Sequence, residues 1–178
     1  PKQRRQLKEA EPFLHGLQSG FSYVVGDLRI RMIIILLAIV SLVAISSITT
    51  LLPVFATDIL KGDSRTLGFL SAASGMGSLL AVAYVTTQTN LIRLSCLIAI
   101  APFISGAALA VFAVSHNFWV SLTAAFLIGF GVLLQHSTGN TLIQTLVQEE
   151  MRGRVSSIYI MAFTGMSTTG SLSSGLLS

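Results

Sequence analysis

The polar side chains best suited to chemistry lie in one helical stretch of an otherwise apolar sequence. A histidine and three amides recur there at every fourth position, so they share one helix face: His136, Asn140, Gln144 and Gln148. Gln135 lies beside that face. Polar groups inside a membrane span are costly and often mark a transport path. For His136 and Asn140, this interpretation and an interhelical hydrogen-bond patch stay open, whereas Gln144 and Gln148 are expected outside the lipid.

A second candidate is the hydroxyl-rich centre of the first apolar stretch, from Ser46 to Thr50. Such hydroxyls commonly donate to carbonyls of their own helix, and we favour that interpretation. The alternative is that they line a polar cavity. Ser46 and Thr50 would then face the same space as Gln135, His136 and Asn140, and this set would bind a small-molecule substrate.

A third candidate is the charged connection at residues 149–155, with the sequence EEMRGRV. Arg152, Gly153 and Arg154 are its candidates for a cytoplasmic loop or gate. Exposed ion pairs are common and weak, so the simplest interpretation is charge that orients the chain in a membrane. The alternative is a latch that holds one conformation of a moving bundle.

The sequence carries no signature of an enzyme or of a bound cofactor. It contains no H-E-x-x-H motif, phosphate-binding loop or G-x-S-x-G elbow, and its acidic residues lie at span edges and in loops. We therefore predict no catalytic residue, no metal and no cofactor. A membrane-embedded enzyme stays an alternative only if a span holds its reactive group, and replacing His136 would then abolish turnover.

Five apolar stretches must position these residues, because a membrane helix needs about 20 residues. They predict an all-α polytopic bundle with spans at about 32–55, 67–86, 94–114, 118–148 and 155–178. Only 10% of residues are charged and 52% are hydrophobic, whereas a soluble domain has about 25% charged residues. Because the chain stops within the fifth stretch, we expect a truncated piece of a larger protein.

The segment before the bundle, residues 1–31, is predicted to form a charged linker followed by an amphipathic helix at the membrane interface. In span two, small residues recur four apart, which favours close packing against other helices. The connection at residues 115–117 is short, so spans three and four are expected to be antiparallel neighbours.

The basic residues are distributed unevenly between the two predicted sides of the membrane. Nine of the eleven fall on one side if the spans alternate, and only Lys61 and Arg65 fall on the other. This is the positive-inside pattern, so the N-terminus is predicted to be cytoplasmic. A clustered basic groove with aromatics is missing, which argues against a nucleic-acid partner.

Two segments resemble the second half of a major facilitator superfamily transporter. One is Gly20-Phe21-Ser22-Tyr23-Val24 followed by Arg29-Ile30-Arg31, and the more specific one is residues 139–157, GNTLIQTLVQEEMRGRVSS. The latter is similar to the bacterial drug- and siderophore-efflux branch, which includes enterobactin exporters, macrolide efflux proteins and transmembrane secretion effectors. The superfamily's G-x-x-x-D-R-x-G-R signature is absent between spans two and three.

This resemblance implies two six-helix bundles with a central cavity between them. Residues 1–31 would be the central cytoplasmic linker, and the first transporter half and a twelfth helix would be missing from this chain. The implied function is proton-coupled export of drugs or siderophores by alternating access, as an antiporter in the bacterial inner membrane. The alternative is a polytopic receptor or scaffold that does not transport.

Overall fold

The computed structural model describes residues 13–42 and 63–175, with side-chain surroundings for residues 18–42 and 63–165, and this part of the chain is helical. Six helices follow one another in it: α1 (Phe13–Gly26), α2 (Leu28–Val40), α3 (Ser64–Thr86), α4 (Leu91–Val114), α5 (Phe118–Leu146) and α6 (Glu149–Gly175). The architecture is therefore all-α, as predicted.

Three of the described helices, α3, α4 and α5, are long and apolar enough to cross a membrane. Their ends differ from the predicted spans by three residues or fewer. The first predicted span, 32–55, overlaps α2 over residues 32–40, and its residues 43–55 lie outside the described part. Helix α6 covers the fifth predicted span up to Gly175 and is rich in Ser, Thr and Gly. Within its described residues, it does not reach the apolarity of the three helices named above. A polytopic helical bundle is thus supported, and three of the five predicted spans are found among the described residues.

Four helices begin at a capping side chain that the sequence places at the helix boundary. Asp27, Asp63, Asn90 and Asn117 each accept a hydrogen bond from the backbone N–H two residues later, at 2.9, 3.1, 2.9 and 2.9 Å. Such caps satisfy an orphan N–H of the first turn. They fix where α2, α3, α4 and α5 start, and so fix the register of the bundle.

Helix α5 is the centre of the bundle. Half of its apolar stretch is buried by other helices, against 17% for α3 and 28% for α4. Both α3 and α4 pack along its length, and α2 and α6 contact it as well. Side chains on α5 can therefore contact four of the other described helices.

The contact between α3 and α5 brings two helix backbones together. A Cβ on Gly77 would overlap the carbonyl oxygen of Phe126, and a Cβ on Gly129 would overlap the carbonyl oxygen of Ser74. Ser78 adds a hydrogen bond from its Oγ to the Gly129 carbonyl at 3.2 Å. The prediction of close packing by span two is confirmed for this face of α3.

Helices α4 and α5 are antiparallel neighbours, as the short connection between them predicts. A Cβ on Gly131 would lie 2.9 Å from the backbone nitrogen of Ser105 on α4. At the connection, the buried Ser121 hydroxyl donates to the Ser115 hydroxyl at 3.2 Å. These contacts hold α4 against α5 from the connection to the middle of both helices.

The amphipathic segment and the start of the first predicted span form two helices that meet at Asp27. Helix α1 ends at Gly26, and the cap at Asp27 starts α2 at Leu28, four residues before the predicted start of the span. Helix α1 packs on α6, where a Cβ on Gly20 would lie 3.1 Å from the Cβ of Arg154. Phe21 is 63% exposed, so part of the apolar face of α1 is open to the surroundings of the bundle.

The described basic residues separate to opposite ends of the bundle. The N-terminal ends of α2 and α4 meet the C-terminal end of α5 in one cleft, which places Arg29 and Arg93 at that end. Arg152 and Arg154 follow in the first turns of α6. Arg65 lies at the opposite end, at the start of α3. This charge asymmetry matches the one predicted from the sequence.

Candidate functional site on helix α5

The polar residues of α5 divide into fully buried side chains, Gln135 and Thr138, and partly buried ones, His136 and Asn140. Gln135 lies one helix turn after Gly131, which approaches α4, and one turn before Gly139, which approaches Tyr159 of α6 and Ile98 of α4. Gln135 is 1% exposed, and neither its amide nitrogen nor its amide oxygen has a hydrogen-bond partner among the described residues. The hydroxyl of the buried Thr138 lacks a partner in this part of the chain too.

A proline in α4 removes one backbone hydrogen-bond donor close to these residues. Pro102 has no backbone N–H, so it cannot donate to the carbonyl of Ile98 one turn earlier. Ile98 is buried, and its side chain would lie 3.4 Å from a Cβ on Gly139. Helix α4 thus lacks one backbone donor in the region where it packs against Gly139 of α5.

His136 faces α6 and lies against two aromatic rings. Its imidazole centroid is 4.2 Å from that of Phe163 and 5.4 Å from that of Tyr159. The ring is half-buried, and its buried Nδ1 has no hydrogen-bond partner within the part of the chain that the structure describes. Planar rings at these distances favour stacking, so the histidine is held by π contacts rather than by a hydrogen bond at Nδ1.

Tyr159 joins α6 to the backbone of α5. Its hydroxyl donates to the His136 carbonyl at 2.7 Å, and its side chain is 1% exposed. Gly139 makes room for this contact, because a Cβ there would lie 2.7 Å from the tyrosine hydroxyl oxygen. The resemblance segment at residues 139–157 therefore begins at a glycine with a structural role.

The stripe continues towards the basic end of the bundle and becomes more exposed. The Gln144 amide donates to the Asn140 side-chain oxygen at 3.1 Å. Asn140 is partly buried, whereas Gln144 and Gln148 are exposed. His136 and Asn140 are therefore brought together on the α6 side, whereas Gln135 is fully buried.

The other two cavity candidates, Ser46 and Thr50, lie outside the described residues. In their place, the structure brings Tyr159 and Phe163 to His136, and sequence reasoning missed both rings. A signal for them exists, since they are aromatic residues four positions apart in a span that is otherwise rich in small side chains.

Of the three gate candidates, Arg154 couples two elements. Its guanidinium Nη1 donates to the Ser19 hydroxyl of α1 at 2.6 Å, and the side chain is partly buried. Arg152 and Gly153 are exposed, and a Cβ on Gly153 would meet nothing within 4 Å. Arg154 is thus the residue of this set that holds α1 against α6.

The described residues do not form a site for a metal ion. No group of three or more His, Cys, Asp or Glu side chains comes together among them. Cys96 is a free thiol on the exposed side of α4. What these residues offer is a half-buried histidine, neighbouring amides and aromatic rings, which suit non-covalent binding.

Comparison with known proteins gives one family. A family model described as transmembrane secretion effector, within the major facilitator superfamily, matches residues 2–178. No curated protein sequence and no solved structure matches significantly. The family match covers nearly the whole chain, including residues 139–157 that carry the resemblance noted in the sequence.

Proposed function

The chain belongs to the transmembrane secretion effector family of the major facilitator superfamily, and on that premise we propose that it exports small molecules across a bacterial inner membrane. Family membership is the observation that carries this proposal. It favours transport over catalysis, and it is consistent with the apolar helices α3, α4 and α5. Drugs or siderophores are the proposed substrates, as in the efflux branch that the sequence resembles.

The α6-facing side of α5 is the part of the described bundle best suited to bind such a substrate. His136 and Asn140 are both partly buried there, so each retains surface that a ligand can contact. We assign Ser46 and Thr50 to the same cavity on sequence grounds. Gln135 is fully buried, so the helices packed around α5 would have to move before a substrate could reach its amide.

Alternating access requires that some helices move together and others move against them. Backbone contacts at Gly77, Gly129 and Gly131 lock α3 and α4 onto α5, and we propose that these three helices move as one unit. The contact of α5 with α6 is made by ring stacking and one tyrosine hydroxyl. Side-chain contacts of this kind can be rearranged at low cost, so the α5–α6 seam is our proposed site of movement.

A proton gradient is the proposed energy source. The three spans α3, α4 and α5 contain no Asp or Glu, and His136 is their one histidine. A proton relay usually needs an intramembrane carboxylate or histidine. We propose that the coupling carboxylate belongs to the other six-helix bundle of the transporter, which faces this one across the cavity.

Accumulation of lipophilic fluorescent dyes in an efflux-deficient bacterium tests the proposal. Cells that make the native gene product should accumulate less dye than cells without it, and His136→Ala should restore accumulation. His116→Ala is the matched control, because His116 is exposed in the α4–α5 connection and should have no effect. Equal accumulation with and without the protein, across dyes of different charge, would favour a receptor or scaffold.

A further inference from the structure

A cleft of about 360 Å³ opens between α2, α4 and α5 at the basic end of the bundle. Its lining has a charged part and an apolar part. Arg29 is the charged residue among those that line it, Ser95 contributes a hydroxyl, and the other six lining residues are leucines and isoleucines. The cleft therefore joins one cation to an apolar slot.

The guanidinium of Arg29 is available for a ligand. Its side chain has no hydrogen-bond or ion-pair partner among the described residues. The nearest acidic side chain in sequence, Asp27, caps α2 by accepting from the Arg29 backbone N–H at 2.9 Å. A guanidinium offers five N–H donors in a planar fork that matches phosphate oxygens.

Two helix N-termini add positive potential at the same place. Arg29 is the second residue of α2, and Leu91 and Ile92 are the first two of α4. The N-terminal end of a helix carries about half a positive elementary charge and the C-terminal end about half a negative one. The C-terminal end of α5 also lines the cleft, and the two N-termini outweigh it. The charged part of the cleft is therefore suited to an anion. The Ser95 hydroxyl is already engaged, because it donates to the Leu91 carbonyl at 3.0 Å.

The apolar part of the cleft continues along the outside of the bundle. Ile92 is 75% exposed and Leu91 is 42% exposed, and both belong to α4, which is apolar enough to span a membrane. We therefore expect lipid around these side chains. A ligand that enters from this side carries apolar chains and, to satisfy Arg29, an anionic headgroup.

We propose that this cleft binds an anionic phospholipid, with the headgroup phosphate on Arg29 and one acyl chain along Ile33, Ile92 and Ile98. Basic pockets between membrane helices are known to hold anionic headgroups. The site is separate from the α5–α6 seam and does not depend on the proposed transport. The bound lipid would link the start of α2 to the start of α4.

Native mass spectrometry of the purified native gene product tests this proposal. The protein is incubated with equal amounts of dioleoyl phosphatidylglycerol and dioleoyl phosphatidylcholine, and the retained lipid is counted. We expect the anionic lipid to be retained preferentially. Arg29→Gln should weaken its binding about fivefold, which corresponds to about 1 kcal/mol for one basic side chain near an anionic surface.

Arg31→Gln is the matched control, because Arg31 is exposed, lies on the same helix two residues away and does not line the cleft. It should leave retention unchanged. Ile92→Trp tests the apolar part, since it fills the slot without changing the charge, and it should also reduce retention. The proposal would be overturned if the unmodified protein retained the two lipids equally, or if Arg29→Gln and Arg31→Gln had equal effects. Either result is expected if a further helix of the transporter, rather than a lipid, occupies the cleft.

Discussion

At the scale of single residues, the glycines and buried amides of α5 decide which neighbours it accepts. Gly139 leaves room for the Tyr159 hydroxyl, and that hydroxyl holds α6 to the carbonyl of His136. Gln135, one turn earlier, is buried with no partner for either amide atom in residues 13–42 and 63–175. Gly139 thus stabilises the α5–α6 contact because it has no side chain, whereas the buried amide of Gln135 lowers the stability of the fold.

Gly139→Ala should destabilise the bundle by about 1–3 kcal/mol, which is typical of overpacking in a tight contact. The new methyl group would force the Tyr159 hydroxyl from its carbonyl partner. Thermal unfolding of the purified protein measures the effect, and Tyr159→Phe should partly rescue it. Gly106→Ala is the control, because a Cβ there meets nothing within 4 Å. Equal stability of the two alanine variants would contradict this role for Gly139.

Gln135→Met should raise thermal stability, because it removes a buried amide without a hydrogen-bond partner while keeping the side-chain volume. Leaving such a group unsatisfied costs about 1–3 kcal/mol. Gln144→Met, at an exposed position, should change stability little. A loss of stability in Gln135→Met would show that the amide has a partner, whereas gained stability with lost export would assign it a role in substrate binding.

At the scale of helices, the bundle is built from caps and close backbone contacts. The caps at Asp27, Asp63, Asn90 and Asn117 stand at the helix starts in the sequence, where Asp and Asn are preferred, and hydropathy alone places those starts only approximately. Small residues in span two predict close packing, yet periodicity does not decide which small residue meets α5. Gly77 does so and Gly75 does not, because only one face of α3 is turned to its neighbour.

Gly77→Ala should therefore destabilise the α3–α5 pair strongly, while Gly75→Ala should be neutral or slightly stabilising. At Gly77 the added methyl group overlaps the Phe126 carbonyl, and a backbone cannot yield as a side chain can. At Gly75 the substitution only reduces the freedom of the unfolded chain. The yield of folded protein and its unfolding temperature would distinguish the two, and similar values would argue against backbone contact between α3 and α5.

Ser19→Ala should loosen α1 from α6 without unfolding the bundle. The Ser19 hydroxyl accepts from Arg154, and a hydrogen bond to a charged group contributes about 1.5–3 kcal/mol, less where water competes. Hydrogen exchange of α1 amides measures the release, and exchange should accelerate in α1 but not in α5. Ser22→Ala, at an exposed position of α1, should leave exchange unchanged, and the same acceleration there would remove Ser19 from this role.

At the scale of the whole molecule, the charge asymmetry predicts how the bundle lies in the membrane. Arg29, Arg93, Arg152 and Arg154 lie at one end of the bundle and Arg65 at the other. Basic residues collect on the cytoplasmic side of membrane proteins. The start of α6 is therefore expected in the cytoplasm and the start of α3 outside it.

Single cysteines test this orientation in intact cells. In a Cys96→Ser background, Arg65→Cys should react with a membrane-impermeant thiol reagent added from outside, and Arg152→Cys should react only after the cells are opened. Both positions are exposed at ends of helices. Labelling of the Arg152 position in intact cells would reverse the proposed topology.

Fold class, the bounds of α3, α4 and α5 and the charge asymmetry could be predicted from the sequence, because bilayer thickness and apolarity dictate them. The division of the polar stripe could not. His136 and Gln135 are adjacent in sequence, and which of them meets α6 depends on how α5 is rotated within the bundle. That rotation is set by Gly77, Gly129 and Gly131, whose partners are distant in the chain.

Flux in inside-out vesicles containing the native gene product tests the central claim of transport most directly. When the vesicle interior is made more acidic than the outside, a lipophilic fluorescent dye should accumulate in the vesicles, and an uncoupler should abolish the accumulation. His136→Ala should lower the rate, and His116→Ala should leave it unchanged. Dye uptake equal to that of empty vesicles, with folded protein present, would contradict the assignment as an exporter.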